Sequence, residues 1–336
     1  MPTEENRIKR LEPCVATIGF FDGVHRGHCY LIRQVCDEAQ RRGLRSMLVT
    51  FPEHPAHVLR PEAFMPLLTS AEEKEQLLQA TGVDEVTILP FTRELAALSA
   101  RDFMEQVLLR QLNVRVLVIG YDHRFGHNRS EGFEDYVKIG REIGVDVVQA
   151  LPLSWGQSEI GALLATTGGL SPQRSAVGFV GLSSSSIRHA LQDGRVEDAR
   201  TMLGYNYSIS GTVVRGFHVG TEIGFPTANV QPDCADKLVP MNGVYAVEAV
   251  LRTKYKEQST KLKGMLNIGF RPTLENGSDR SIEVHLFDFH DDLYGASIQI
   301  RFCHFIRKEK KFGSLAELQE QLQHDERACR ALFRDH

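Results

Sequence analysis

The sequence predicts an α/β chain: a parallel sheet covered by helices in the first half, then a small antiparallel β-barrel with a closing helix. Three observations lead there. Up to about residue 150, short apolar, β-branched runs alternate with helical patterns. After about residue 205, strand-like runs follow one another through turns, with little helix between them. At 336 residues the chain suits two domains of ordinary size. The first rhythm belongs to strands buried on both faces, and the second to an antiparallel sheet closed so that few edges stay exposed. The joint falls near 203–208, giving domains 1–203 and 204–336.

In the first half the strands are CVATIGF (14–20), SMLVTF (46–51), VDEVTILPF (83–91), VRVLVIG (114–120) and VDVVQA (145–150). Over 29–41, Leu31, Ile32, Val35, Cys36 and Ala39 fall on one helical face. Ser70 and Glu73 make a capping box ahead of EQLLQA. Ser99 and Asp102 offer a similar start to DFMEQVLLRQL, and 130–143 supplies a further helix. The stretch 153–182, rich in Gly, Ser and Ala, reads as a long loop or flap with one short helix around 160–165. In the second half the strands are SISGTVV (208–214), GVYAVEAVLR (243–252), KGMLNIG (263–269), SIEVHLFDF (281–289) and SIQIRFCHFI (297–306). Turns such as Glu275-Asn276-Gly277-Ser278 and Tyr294-Gly295 separate them. Leu315, Leu318 and Leu322 place a helix from Ser314 to about His324 on the outside.

Composition narrows the function. Hydrophobic residues are 42% and charged residues 24%, near the globular average, which excludes a disordered or collagen-like chain. The net charge of −4 argues against a general nucleic-acid binder, whose footprint is basic. No apolar run approaches the ~18 residues of a membrane span, and the opening MPTEENRIKRLEP lacks the apolar core of a secretory signal. A cytoplasmic protein is expected, with no membrane partner. Six scattered cysteines without a CxxC pair read as free thiols and do not suggest zinc. A homo-oligomer is compatible with the sequence, which does not fix the oligomeric state.

The first chemical signal is GFFDGVHRGH (19–28), between the first strand and the first helix. Backbone N–H groups and the positive helix end collect there, a place suited to phosphate. Gly19, Gly23 and Gly27 allow close backbone approach, and His25 and His28 can donate hydrogen bonds to phosphate oxygens. SSSSIRHAL (183–191) is a second helix start: Ser183, Ser184 and Ser185 could hold outer phosphates with Arg188 as a charge clamp, although a serine cluster also serves as a plain N-cap. GYDHRFGHNRSEG (120–132) follows a strand and gathers His123, Arg124, His127 and Arg129, and Thr50-Phe51 to His54-Pro55 closes another. Either also reads as a polar loop.

In the second half, GTVVRGFHVGTEIGFPTANV (211–230) carries Gly211, Gly216, Gly220 and Gly224 into Pro226-Thr227-Ala228-Asn229. A glycine-bearing flap could close over a nucleotide, and Thr227 and Asn229 oxygens could coordinate a hard cation such as Mg²⁺. Glu283 alternates with apolar Ile282, Val284 and Leu286 and so projects to the opposite sheet face. There it could take a proton from a hydroxyl or simply face solvent.

These segments together resemble one family. GFFDGVHRGH, TFPEHP, LTSAEEKEQLL, GYDHRFGHNRSEGF and SSSSIRHAL are similar, in sequence and order, to the adenylyltransferase domain of bifunctional bacterial riboflavin kinase/FAD synthetase. PTAN, Gly243-Val244-Tyr245, NIGFRPT (267–273), IEVHLFDF, DDLYG (291–295) and IRKEKKFGSLAEL (306–318) resemble its riboflavin kinase domain. The resemblance spans nearly the whole chain from about residue 14. It implies a Rossmann-like nucleotidyltransferase domain followed by a kinase barrel, with ATP as co-substrate and riboflavin, FMN and FAD as substrates or products. It further implies an ATP side formed by Gly19, Phe21, Asp22, Gly23 and Gly27 with Ser183–Ser185, and a flavin side near Phe51, His54, Pro55, Asp122, Arg124 and Phe125. In the barrel it implies that Thr227 and Asn229 help hold MgATP and that Glu283 is the general base. A flavin-binding regulatory protein on the same scaffold is the alternative from another class.

The chain departs from the family pattern in four places. Thr221 stands where many relatives have a basic residue, Ser185 replaces a threonine, and Pro52-Glu53 inverts a commoner order. The stretch near 156–178 looks like an insertion.

Overall fold

The computed structural model describes residues 12–60, 62, 65–120, 123–127, 130–152, 182–215, 223–252, 260–270 and 280–334. By contacts the chain forms two compact units, residues 1–65 with 69–178 and residues 66–68 with 179–336. The expected loop over 153–182, with its short helix and the 156–178 insertion, lies almost wholly outside the described residues.

The first unit is built on five parallel strands, β1 (Cys14–Ile18), β2 (Arg45–Thr50), β3 (Glu85–Ile88), β4 (Val114–Ile119) and β5 (Asp146–Gln149). They lie in the order β3-β2-β1-β4-β5. The expected parallel sheet is thus present, with all five strands close to their expected positions. Central β1 is buried along its length and pairs with both β2 and β4. Helix α1 (Arg26–Arg42) ends on Gly43, whose φ of 66° suits glycine. Its Val35 and Ala39 pack with Val15 and Val116 on one face of the sheet. A π-helical segment, Phe103–Gln111, packs Met104 and Leu108 against Ala16 and Val49. The two sets cover opposite sides, because Val15 and Ala16 point opposite ways along the strand.

Three further helices take the caps expected of them or add to the pattern. The Ser70–Glu73 capping box opens α3 (Ala71–Gln79) as expected, and α6 (Phe133–Ile143) matches the 130–143 pattern. Ser99 caps the short α5 (Ala100–Asp102), which runs on into the π-helical segment. Two short pieces, α2 (Pro55–Leu59) and α4 (Arg93–Ala96), were not legible as helices.

The second unit is a closed antiparallel barrel, as expected. Its strands are β6 (Ser208–Val214), β7 (Ala228–Pro232), β8 (Gly243–Arg252), β9 (Thr260–Phe270), β10 (Arg280–Leu286) and β11 (Ser297–Arg307), closed in the order β10-β7-β6-β11-β8-β9. Alternate residues fill it: Ile209, Val213, Val230, Leu266, Ile268, Ile282, Val284, Ile298 and Ile300 share one core. Two helices, α7 (Ser184–Gln192) and α8 (Val196–Leu203), add Ile187, Leu191, Val196 and Leu203 to that core.

The closing helix α9 (Leu315–Leu332) is capped by Ser314 as expected and runs a further two turns past His324. It covers the outer barrel face, where Cys329 and the following Phe333 meet Ala246, Met265 and Cys303. Asp325 anchors it. This carboxylate, with no exposed surface, accepts from Arg307 Nε at 2.9 Å and Nη2 at 2.7 Å, and from Gln321 Nε2 at 2.9 Å. Removing one partner of a buried pair strands the other charge, so Asp325→Ala should cost about 3 kcal/mol. A urea denaturation midpoint that matches the parent's would contradict this anchoring role.

Candidate active sites in the two units

A parallel sheet buried on both faces leaves polar chemistry to its strand ends, and ligands bind at the carboxyl ends where the order of strands reverses. Here that place is the junction of β1 with β4. The chain leaves β1 through Gly19–His25 in a tight turn with three residues at positive φ: Phe21 (55°), Gly23 (78°) and Val24 (34°). A β-branched residue there is an outlier, and such conformations cost on the order of 1–3 kcal/mol each and persist only where surroundings enforce them. Enforcement is visible. Phe21 and Val24 are buried with Ile32, Leu48 and Leu78. The Asp22 carboxylate accepts from the Thr69 N–H and hydroxyl, both at 3.1 Å, and that hydroxyl accepts from Gly23 N–H at 3.2 Å. A Cβ at Gly19 would meet the Phe21 ring at 3.0 Å, so a larger residue there would have to displace that ring.

The turn delivers His25 to the N-cap of α1. Its Nδ1 accepts from His28 N–H at 3.2 Å, so the proton of the neutral ring sits on Nε2. The two imidazoles stack at 3.6 Å with 16° between their planes. Burial pushes the His25 pKa down to about 4. His28 is held well below its ordinary value, first by burial and then by the neighbouring rings of His25 and His123. Among the described residues its Nδ1 has no hydrogen-bond partner. Two neutral rings at a helix N-terminus offer N–H donors rather than fixed charges.

His123 was legible only as part of a polar loop. The adjacency of β1 and β4 brings it to the histidine pair, and no sequence spacing between residues 28 and 123 signals that. Around the end of β2, the His54 side chain caps α2 by accepting from Ala56 N–H at 3.0 Å, with Pro55 in its first turn. Phe20 meets the His54 ring edge-on at 4.7 Å. Phe51 is buried and packs edge-on against Phe91. Phe125 stacks on Tyr136 at 4.3 Å, Arg124 is exposed, and Asp122 lies outside the described residues. The structure thus gathers His25, His28, Asp22 and His54 of the candidate residues around the ends of β1 and β2.

The remaining first-half candidates belong to the second unit. Ser183 Oγ caps α7, accepting from Ser186 N–H at 3.2 Å, with Ser184 half-buried and Ser185 exposed. Arg188 is buried and its Nε donates to the Pro66 carbonyl at 2.7 Å.

On the barrel, the candidate polar residues of β7 and β10 alternate with the core-facing ones. Glu283 on β10 stands directly opposite Asn229 on β7 and Asn267 on β9. Residues opposed across antiparallel strands share a face, so these three polar side chains form a row on the outer wall. Glu283 is half-buried and Asn229 is 6% exposed. Two residues along β10, His285 Nδ1 lies 2.8 Å from the Pro226 carbonyl, which can only accept, so that nitrogen carries the proton. This bond ties the segment before β7 to β10. Beside it lies a cavity of about 380 Å³, lined by Thr227, Arg215, Asp291, Asp292 and Tyr294 among others. Gly224 holds φ at 83° ahead of Pro226. Gly211 lies within β6, where a Cβ would meet the Gln231 carbonyl at 2.4 Å. Gly216, Gly220 and Thr221 lie outside the described residues.

Comparisons with known proteins bear on both units. The FAD synthetase family profile matches residues 7–162 and the riboflavin kinase profile residues 203–333. The bifunctional riboflavin kinase/FMN adenylyltransferase of Escherichia coli K12 is 38% identical, over 96% of this chain and 93% of its own length. The protein of the same description from Bacillus subtilis is 34% identical, over 95% of this chain and 92% of its own. A crystal structure described as a macrolide-efflux protein from Streptococcus pneumoniae superposes with a TM-score of 0.78 at 29% identity, covering 95% of this chain and 94% of that one. Among the described residues, no helix is long and apolar enough to cross a membrane.

The buried neutral histidine sets a pH dependence. With its folded pKa near 4 against about 6.5 unfolded, His25 binds a proton more readily in the unfolded chain, so stability falls as pH drops below about 6.5. Between pH 7 and pH 5 the loss from His25 is about 2 kcal/mol. His25→Asn keeps a capping oxygen and removes the titration. Its urea midpoint should fall less than the parent's over that interval, and an equal fall would exclude a neutral, buried His25.

Proposed function

The chain belongs to the bifunctional riboflavin kinase/FMN adenylyltransferase family, and from that premise we propose which residues carry each reaction. It is an enzyme of flavin cofactor synthesis that phosphorylates riboflavin with ATP to FMN and then adenylylates FMN with a second ATP to FAD, releasing pyrophosphate. We assign adenylylation to residues 1–203 and phosphorylation to residues 204–336, and place the protein in the cytoplasm with small molecules as its partners.

For phosphorylation, the ribityl 5′-hydroxyl oxygen attacks the γ-phosphorus of ATP, its bond to the β–γ bridging oxygen breaks, and the hydroxyl proton passes to the Glu283 carboxylate. The observation that supports this is the placement of Glu283 opposite Asn229 on neighbouring strands, with Thr227, two residues before Asn229, lining a cavity. Amide and hydroxyl oxygens fit a cation that takes most of its remaining ligands from phosphates and water. Thr227 and Asn229 would hold Mg²⁺, which when bound neutralises charge on the ATP phosphates. Positioning and charge neutralisation account for most of the rate in such transfers.

For adenylylation, an FMN phosphate oxygen attacks the α-phosphorus of ATP, the bond from that phosphorus to the α–β bridging oxygen breaks, and pyrophosphate leaves. The nucleophile is already an anion and needs no base. The N–H groups of neutral His25 and His28, with those of the α1 N-terminus, stabilise the charge that develops on the transferred group. Gly19, Phe21, Asp22, Gly23 and Gly27 shape that cradle. The motif assigns phosphate contacts to Ser183, Ser184, Ser185 and Arg188 as well. The flavin lies toward Phe51, His54, Pro55, Asp122, Arg124 and Phe125. Gly216, Gly220 and Gly224 with Pro226 belong to the kinase flap, whereas Gly211, expected there too, is a residue of strand β6.

Separating riboflavin, FMN and FAD over time tests the division of labour. His28→Ala should lower FAD formation from FMN by about 10²-fold or more, the scale of losing one preorganised donor, with FMN formation intact. Equal loss of both activities would contradict it. Glu283→Gln should do the reverse, lowering riboflavin phosphorylation by about 10²-fold or more while FMN supplied directly is still adenylylated. A parental kinase rate would remove Glu283 as the base.

A further inference from the structure

Lysine is seldom buried unless its charge is met, yet Lys74 on α3 is only 4% exposed. Its Nζ donates to the Phe51 carbonyl at the end of β2, at 2.6 Å, and lies 3.8 Å from the centre of the Phe20 ring in the turn after β1. Phe20 in turn meets His54 edge-on. One ammonium therefore joins three segments: the β1 turn, the β2 exit and the capped start of α3. Shape alone does not require a charge here. A methionine would fill the same slot without the cost of desolvating an ammonium, whereas a cation adds an attraction to the ring face and a charge-assisted bond to a carbonyl.

We propose that Lys74 is a positioning residue for FMN adenylylation, its ammonium fixing the Phe51 carbonyl and the Phe20 ring so that the loop bearing His54 and Pro55 is set for the flavin. This rests on the assignment of that loop to the flavin side. Lys74 acts through Phe20 and Phe51 and takes no part in bond making.

The charge is conditional. Burial pushes the Lys74 pKa down to about 8, against a raising influence from Asp22. Below that pH the ammonium is present, and above it the bond to Phe51 becomes that of a neutral amine and the attraction to Phe20 is lost. The titratable groups around it are Asp22 in the β1 turn, His54 beyond Phe20, and Glu72 and Glu75 of its own helix, which line the same small cavity beside Phe51 and Pro52. Lys74 therefore changes charge between pH 7 and 9.

The test is a pH profile of FAD formation from FMN by the full-length protein, with riboflavin phosphorylation as an internal control. In the parent, KM for FMN should rise as pH passes about 8, with kcat less affected. Lys74→Met should show a KM about tenfold higher at pH 7 and no further rise to pH 9. Lys74→Arg, which stays charged, should restore a low KM relative to Met and lack the alkaline rise. A parent profile flat from pH 7 to 9, or a Met variant with the parent's KM, would overturn the proposal. Near-UV circular dichroism and retained kinase activity show that each variant is folded. His54→Ala separates the two readings: an unchanged KM for FMN there would sink the flavin-side assignment, whereas an unchanged KM only in Lys74→Met would sink the role of Lys74.

Discussion

Both units obey one constraint: their interiors are apolar. In the first, helix α1 and the π-helical segment seal the two faces of the sheet, so a group that must meet phosphate can stand only where strands stop. In the second, isoleucine, valine and leucine line the barrel interior, so an unpaired carboxylate is stable only where it is not enclosed by them. A buried unpaired charge would cost far more than a site could return. The placement of His25 at a strand end and of Glu283 on an outer wall follows from that exclusion.

Confinement to a strand end brings strain with it. The turn after β1 must reverse within a few residues, and Phe21 and Val24 take positive φ in it. Their burial, and the Asp22–Thr69 bonds, hold the turn in place. The same crowding stacks His25 on His28 and keeps both neutral. On the barrel, an aspartate buried under α9 holds the helix to Arg307, and the helix hides the apolar outer patch around Met265 and Cys303.

Much of this was legible in the sequence. All five parallel strands, five of the six barrel strands and the capping box at Ser70 follow from local pattern alone. Strand β7 did not, because Ala228–Pro232 is short, polar at alternate positions and preceded by a proline. Helix α9 was cut short because its last turns, DERACR, carry charges that mask the buried Asp325 and Cys329. Helix α8 lacks an N-cap side-chain bond and so lacks the usual marker of a start. At the sites, residues within one motif could be read together, as His25 and His28 were. His123 and Lys74 could not, since each reaches its place through strand adjacency or helix docking, and a lysine in a polar helix gives no sign of being buried.

One short stretch bears on how the chain is made. Pro66–Leu68, flanked on both sides by residues of the first unit, counts with the second. Leu67 bridges to Lys237 and exchanges backbone hydrogen bonds with Asp236 and Leu238, while Leu68, 1% exposed, sits in the barrel core. During synthesis these residues emerge long before their partners. The nascent chain must carry an unpaired backbone segment and a bare leucine through the period in which the parallel sheet completes itself. Cutting the gene at the domain boundary would make that interim permanent, leaving one fragment with an exposed apolar side chain and the other with an unfilled place in its core.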